Sequence, residues 1–134
     1  AYRPAAAMGG QQYIITDHAH LVSGPMQGLF EALRKAILAL DPCVNEEFLK
    51  LYVAYKAETN FVDVVPQAKR LLLVLNLSIE DIEDPKGLCR DISNIGRWGN
   101  GDVEVGLSNI DDLPYVMGLI RQSFDHQMGN PQDV

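Results

Sequence analysis

The sequence contains little cysteine and no long apolar run. Its two cysteines, Cys43 and Cys89, stand in different segments without CxxC spacing. That pattern is typical of small apolar residues in a reducing cytoplasm rather than a disulfide or zinc framework, although a single disulfide stays an open alternative. The longest apolar candidate, Leu71 to Leu75, has the length of a strand, whereas a membrane-spanning helix needs roughly 20 apolar residues. We therefore predict a cytoplasmic protein without a membrane span.

Positive charge is also scarce. Eleven Lys and Arg residues against 18 Asp and Glu residues give a net charge of −7. A net charge of that sign opposes nonspecific binding to nucleic acid or anionic membranes, so nucleic acid is a partner only through a local basic patch. The opening AYRPAAAMGG lacks the charged and apolar regions of a signal peptide. Because it does not begin with Met, it indicates processing or a domain taken from a longer protein.

Apolar residues, by contrast, are plentiful enough for one core. The chain has 134 residues, of which 47% are hydrophobic, and this length and composition fit a single globular domain. We predict a tail or linker over residues 1–16, one domain over 17–127 and a second tail over 128–134.

Two segments have the three-or-four spacing of amphipathic helices. The first begins at Pro25, with Ser23 or Gly24 as its cap, and ends before Pro42. The second begins after Asp111 or Asp112 as a cap. The apolar stripes are Met26, Leu29, Phe30, Leu33, Ile37 and Leu40 in the first helix, and Leu113, Val116, Met117, Ile120 and Phe124 in the second.

Between these helices the period changes to two, which predicts strands. Alternation from Leu49 to Lys56, the apolar run 61–65 and the run 70–77 predict three strands joined by turns at 58–60 and 66–68. Connections this short favour antiparallel hairpins. Further strands are predicted at 13–16, 88–93 and 103–107, a helical turn at 78–84 and a β-turn at 84–87. The predicted fold is a two-layer α+β domain: an antiparallel meander of four to five strands, covered on one face by the N-terminal and C-terminal helices.

The sequence resembles an uncharacterised bacterial and archaeal domain family that carries the label "predicted transport protein". The resemblance covers roughly Asp17 to Phe124 and rests on YVAYKAETNFVDVVPQAKRLLLVLN, DPKGLCRDISNIGRWGNGDVEV and LPYVMGLIRQSF. Members of that family resemble stand-alone proteins or C-terminal modules of GmrSD-type (ParB-like) restriction-nuclease proteins. More distantly, the element order is similar to the YdhG-like fold. The resemblance implies an association with defence against foreign DNA, without making this domain the nuclease.

The first candidate binding segment is rich in glycine and combines cations, carboxylates and the single tryptophan. Glycine-rich loops permit close backbone approach and form anion-holding nests, and an arginine beside a tryptophan can stack on an aromatic ligand. The alternative is that these residues only pair, turn the chain and cover the sheet edge. The candidates are Arg90, Asp91, Arg97, Trp98 and Asp102.

The second candidate is the surface of the first hairpin. The group is Tyr52, Tyr55, Lys56 and Phe61. If Leu51, Val53 and Tyr55 face the helices, Tyr52 and Lys56 lie on the other face of the sheet. That face is either a platform for a ligand or partner, or a solvated surface whose lysine opposes aggregation.

Metal, cofactor and nucleophile signals are weak. His18 and His20 lie two residues apart beside Asp17, but the sequence indicates no third ligand. Cys43 has no histidine placed near it in the sequence. We therefore predict no metal, no cofactor and no catalytic residue.

These observations support three hypotheses of function. The first is a noncatalytic binding or accessory module that reads a ligand, a nucleic acid or a partner protein where Lys56, Arg90, Arg97 and Trp98 converge. The second is an enzyme for a small anionic substrate, with Asp91 or Asp102 as its base. The third is a structural domain that forms a homodimer.

Overall fold

The computed structural model describes residues 12–95 and 101–129, in which six strands form one antiparallel sheet accompanied by three α-helices. The predicted α+β class with an antiparallel sheet is confirmed, with six strands in place of four to five. The helices are α1 (Ala19–Val22), α2 (Met26–Leu38) and α3 (Leu113–Gln127). The strands are β1 (Asn45–Phe48), β2 (Val53–Lys56), β3 (Asn60–Pro66), β4 (Leu71–Leu75), β5 (Arg90–Asp91) and β6 (Val103–Leu107).

Both predicted amphipathic helices form, because their apolar stripes have a sheet to cover. The N-cap of α2 is Pro25 rather than the predicted Ser23 or Gly24. The N-cap of α3 is Asp112, as predicted, but its side chain makes no capping hydrogen bond. Instead, Asn109 Oδ1 accepts a hydrogen bond from Asp111 N at 2.9 Å and caps the short 3-10 turn that leads into α3. In the described part of the chain, no helix has the length and apolarity that a membrane crossing requires.

The predicted strand from Leu49 to Lys56 is wrong in its first half. Leu49 to Tyr52 form a tight turn, closed by a 2.8 Å hydrogen bond from Leu49 N to Tyr52 O. An unpredicted strand, β1, precedes that turn and pairs with β2, with Phe48 opposite Val53. The apolar alternation continues on both sides of the turn, so the local pattern does not indicate that the chain reverses there. The pairing of β1 with β2 determines the position of the turn.

Two weaker strand predictions also change. The segment 13–16 is not a strand: a 3-10 turn occupies Ile15–Asp17, where Asp17 Oδ2 accepts a 2.7 Å hydrogen bond from Ile14 N. The predicted strand 88–93 shrinks to the two residues of β5. The turns predicted at 78–84 and 84–87 both form, the second with Gly87 at φ +64°.

The order of strands in the sheet is β1-β2-β3-β4-β6-β5. Strands β2, β3 and β4 are the predicted meander, and the unpredicted β1 extends it at one edge. After β4 the chain passes to the far edge, forms β5, and returns as β6 between β5 and β4. The edges of the sheet are therefore β1 and β5, and Arg90 and Asp91 of the segment predicted to bind form the β5 edge.

The core lies between one face of the sheet and helices α2 and α3, and we call this the helix-covered face. Phe61 meets Phe124 of α3 edge-on, with ring centroids 5.3 Å apart. Ser123, also buried, donates a 2.6 Å hydrogen bond to Phe61 O. The sheet residues on this face are Val53, Tyr55, Val62, Val64, Leu71, Leu73, Leu75, Val103, Val105 and Leu107.

A partly buried network of hydrogen bonds links α2 to the sheet at the β1 edge. Arg34 of α2 donates two hydrogen bonds of 2.9 Å to the two carboxylate oxygens of Glu46. The hydroxyl of Tyr55, a fully buried residue, donates a third to Glu46 at 2.8 Å. Burial and the neighbouring Glu46 carboxylate hold the pKa of Tyr55 well above its usual value.

Candidate functional site

The opposite face of the sheet, which we call the helix-free face, carries the polar residues. Strand register places six residues in one row across it, because directly paired residues point to the same side. Among described residues, the core that joins α2 and α3 to the sheet includes none of them. The row is Glu47, Ala54, Asp63, Val74, Glu104 and Arg90, from β1 to β5.

Asp63 lies at the centre of this row and is fully buried, between Ala54 and Val74 of the neighbouring strands. Its Oδ1 accepts a 2.8 Å hydrogen bond from Asn60 Nδ2. The other amide atom, Asn60 Oδ1, is buried and has no hydrogen-bond partner among the described residues. Burying a carboxylate in the middle of a strand costs stability unless bonds compensate it, so this position is unusual for a purely structural sheet.

Lys56 lies on the same face, and Tyr52, in the turn before β2, lies near it. Leu51, which the alternation predicted to face the helices, is instead exposed in that turn. Lys56 Nζ forms a 2.9 Å ion pair with Glu47 Oε1. Burial, then the negative charges of Asp63 and Glu47, raise the pKa of Tyr52, while Lys56 opposes that shift. The charges of these side chains thus act on one another around the buried carboxylate. The cluster is Glu47, Tyr52, Lys56, Asn60 and Asp63, and we call it the central cluster.

Arg90 lies far from this cluster. Its side chain is 64% exposed and faces Glu104, with Nη1 3.6 Å from Oε1. Lys56 on β2 and Arg90 on β5 are separated by four strand spacings, roughly 19 Å at the usual distance between strands. The two residues share a face, but the structure does not bring them into contact.

The carboxylates predicted as bases also occupy described positions. Asp91 is exposed, and its Oδ1 accepts a 2.9 Å hydrogen bond from Ser93 N. That hydrogen bond lowers the pKa of Asp91. Asp102 is half-buried, and its carbonyl accepts a 2.8 Å hydrogen bond from Ile92 N, which continues the pairing of β5. Arg97 and Trp98 lie outside the described residues, so their predicted role stays a prediction.

Several members of this surface were missed in the sequence. Asp63 stands inside the apolar run FVDVV, and a charged residue interrupting a central strand is a signal that sequence reading can use. Glu47 and Glu104 gave no such signal, since each belongs to a polar or alternating segment. Only the strand register places them beside Lys56 and Arg90.

Among the histidine and cysteine residues, His18 and Cys89 interact with neighbouring groups of the fold. His18 is buried, and its Nε2 lies 2.8 Å from Leu49 O at the β1–β2 turn. Burial raises the pKa of Cys89 to about 12, with the Asp84 carboxylate as a further cause. Within 12–95 and 101–129, no three His, Cys, Asp or Glu side chains are grouped to hold a metal ion.

Comparison with known proteins gives one relative and a family. A protein of Haemophilus influenzae described as "Uncharacterized protein" is 38% identical over 111 residues, which are 83% of this chain and 37% of that protein. The chain therefore spans well under half of its relative's length. No solved structure matches. Residues 15–127 match the family described as "Domain of unknown function (DUF5655)", and the chain belongs to that family.

Proposed function

We propose that this domain is a noncatalytic binding module, and that the helix-free face of its sheet is the binding face. The observation that carries the proposal is the buried carboxylate of Asp63 in the central strand β3. A valine there would match its apolar neighbours Ala54 and Val74. Sites that break a local folding rule are expected where function requires it.

The charges of this face support recognition of a ligand with discrete polar groups. Lys56 lies beside Glu47 and Arg90 beside Glu104, so both signs alternate across the sheet. A continuous polyanion such as a nucleic acid strand would meet these glutamates as well as the cations, and the whole chain carries −7. We therefore favour a small ligand or a protein partner over nonspecific nucleic acid.

The chemistry of the carboxylates supports binding over catalysis. A general base works best with a pKa near the operating pH. The hydrogen bond from Ser93 lowers the pKa of Asp91, away from neutral pH. The lower pKa makes this carboxylate a weaker base. An accessory role in a restriction or phage-defence protein is part of the proposal, resting on the sequence resemblance. The greater length of the Haemophilus relative is compatible with such a role.

The proposal is tested by thermal-shift screening of metabolites, nucleotides and short oligonucleotides, followed by titration calorimetry. We expect affinity for a hit to fall at least roughly tenfold in Lys56→Gln or in the Arg90→Glu/Arg97→Glu pair, as for loss of a charge-assisted hydrogen bond. Arg121→Gln is the matched control, because Arg121 lies on α3 and its nearest carboxylate contact is 3.9 Å.

Unchanged affinity in both variants would remove Lys56 and the Arg90 edge of the helix-free face as the binding site. If no compound binds and light scattering shows a dimer that these substitutions leave intact, the structural dimerisation hypothesis replaces the binding role.

A further inference from the structure

A second row of residues crosses the helix-free face near the β1–β2 and β3–β4 turns. Val65 pairs with Leu72, and Leu72 with Gly106. Tyr52 lies in the turn just before β2, and continuing the register one residue beyond the Val53–Val64 pair brings it next to Val65. Val65 and Leu72 are half-buried and Gly106 is exposed. The row is thus a short apolar strip that begins at an aromatic ring.

A cation stands at the other end of the strip. The Arg70 guanidinium lies over Gly106: a Cβ built on that glycine would be 3.2 Å from Arg70 Nη1. Arg70 is exposed, and its Nε donates a 2.8 Å hydrogen bond to the neutral side chain of Gln67. Within the described part of the chain, Lys56 and Arg90 each form an ion pair with a glutamate on this face, whereas Arg70 forms none. Its charge is therefore available to an external anion.

We infer that this strip binds a mononucleotide-like phosphate ester, with the phosphate on Arg70 and the flat base along Leu72 and Val65 toward Tyr52. The inference rests on the proposed binding role of this face and names its ligand class. The guanidinium offers a planar fork of donors that matches phosphate oxygens. Lys69, exposed beside it, adds a second positive charge.

The dimensions of the strip favour a ligand of this kind over a bare anion. Tyr52 and Gly106 are separated by three strand spacings, roughly 14 Å at the usual distance between strands. That span suits a phosphate, a sugar and a base laid end to end. An inorganic anion would use only the Arg70 end, and an uncharged nucleoside only the apolar end.

The test is a ¹H–¹⁵N NMR titration of the whole chain with AMP, GMP, CMP and UMP at constant ionic strength. We expect at least one nucleotide to bind saturably and to shift the amide of Gly106. Arg70→Gln should weaken that binding at least roughly tenfold, as expected for loss of a charge-assisted hydrogen bond. Arg121→Gln is the matched control and should leave it unchanged, because Arg121 lies on α3 beside Asp125.

Two further measurements test which end of the strip binds the phosphate and which end binds the base. Tyr52→Ala should weaken nucleotide binding without affecting ribose 5-phosphate, while Arg70→Gln should weaken both. No saturable nucleotide binding, or equal losses in Arg70→Gln and Arg121→Gln, would overturn the inference. A different ligand that requires Lys56 but not Arg70 would also overturn it, while leaving the binding role of the face intact.

Discussion

At the scale of single residues, a methyl group added to Gly101 would collide with the sheet. A Cβ built there would lie 2.2 Å from the carbonyl oxygen of Leu75 and 2.6 Å from its carbon. Because backbone atoms cannot move aside cheaply, we expect Gly101→Ala to lower the free energy of unfolding by roughly 2–4 kcal/mol. Urea denaturation followed by circular dichroism measures this change.

Gly118 of α3 is the matched control for that substitution. A Cβ there would meet nothing within 4 Å, and alanine is the better helix former. Gly118→Ala should therefore raise the free energy of unfolding by roughly 0.5–1 kcal/mol. Equal effects of the two substitutions would contradict the close contact at Gly101.

At the scale of elements, a buried hydroxyl attaches α3 to the sheet. Ser123 Oγ donates to Phe61 O at 2.6 Å and accepts from Asn76 N at 3.2 Å, so it joins the helix to the start of β3 and the end of β4. Ser123→Ala removes both bonds, and it does not weaken α3 through propensity because alanine is the better helix former. We expect a loss of roughly 1–3 kcal/mol in the free energy of unfolding, because buried polar groups lose a partner.

Hydrogen exchange distinguishes this docking role from a general loss of stability. Ser123→Ala should increase exchange most in α3 and around Phe61, as α3 separates from the sheet. Ser108→Ala is the control, since Ser108 is exposed after β6 and should change stability by less than about 0.5 kcal/mol. Unaltered exchange in α3 would show that the hydroxyl contributes nothing to docking.

The elements also show what sequence reasoning can and cannot reach. The apolar stripes of α2 and α3 could be predicted because local residue spacing defines them and any apolar sheet surface can cover them. The chain reversal at Leu49–Tyr52 could not be predicted, because the apolar alternation continues on both sides of it. The pairing of β1 with β2 decides where the chain turns.

The same limit applies to the candidate site. The alternation correctly placed Lys56 on the face away from the helices, but it failed for Leu51, which is exposed in the turn before β2. The distance of Lys56 from Arg90 depends on β6 returning between β4 and β5, and no local pattern encodes that order. Asp63 was visible in the sequence as a charge within an apolar strand, but its burial became apparent only once its neighbours in the sheet were known.

At the scale of the whole molecule, folding changes proton affinities far from the helix-free face. The Tyr55 hydroxyl, buried and bonded to Glu46, keeps its proton in the folded chain to a pH well above its usual pKa. The unfolded chain loses that proton at a pH near 10. Tyr55 therefore contributes stability that is fully present below pH 10 and is lost as the pH rises toward its folded pKa.

Tyr55→Phe removes this titration together with the hydrogen bond to Glu46. At pH 8 we expect the variant to be less stable by roughly 1–3 kcal/mol, the range for a hydrogen bond to a charged acceptor. Between pH 10 and 11.5 that difference should shrink by up to about 1.4 kcal/mol per pH unit, because only the wild-type protein still binds the extra proton. Cys89 and the other tyrosines titrate in both proteins, so the comparison cancels them. Urea unfolding of both proteins at pH 8, 10 and 11 measures this difference in the free energy of unfolding. A difference that stays constant with pH would show that Tyr55 titrates alike in the folded and unfolded chains.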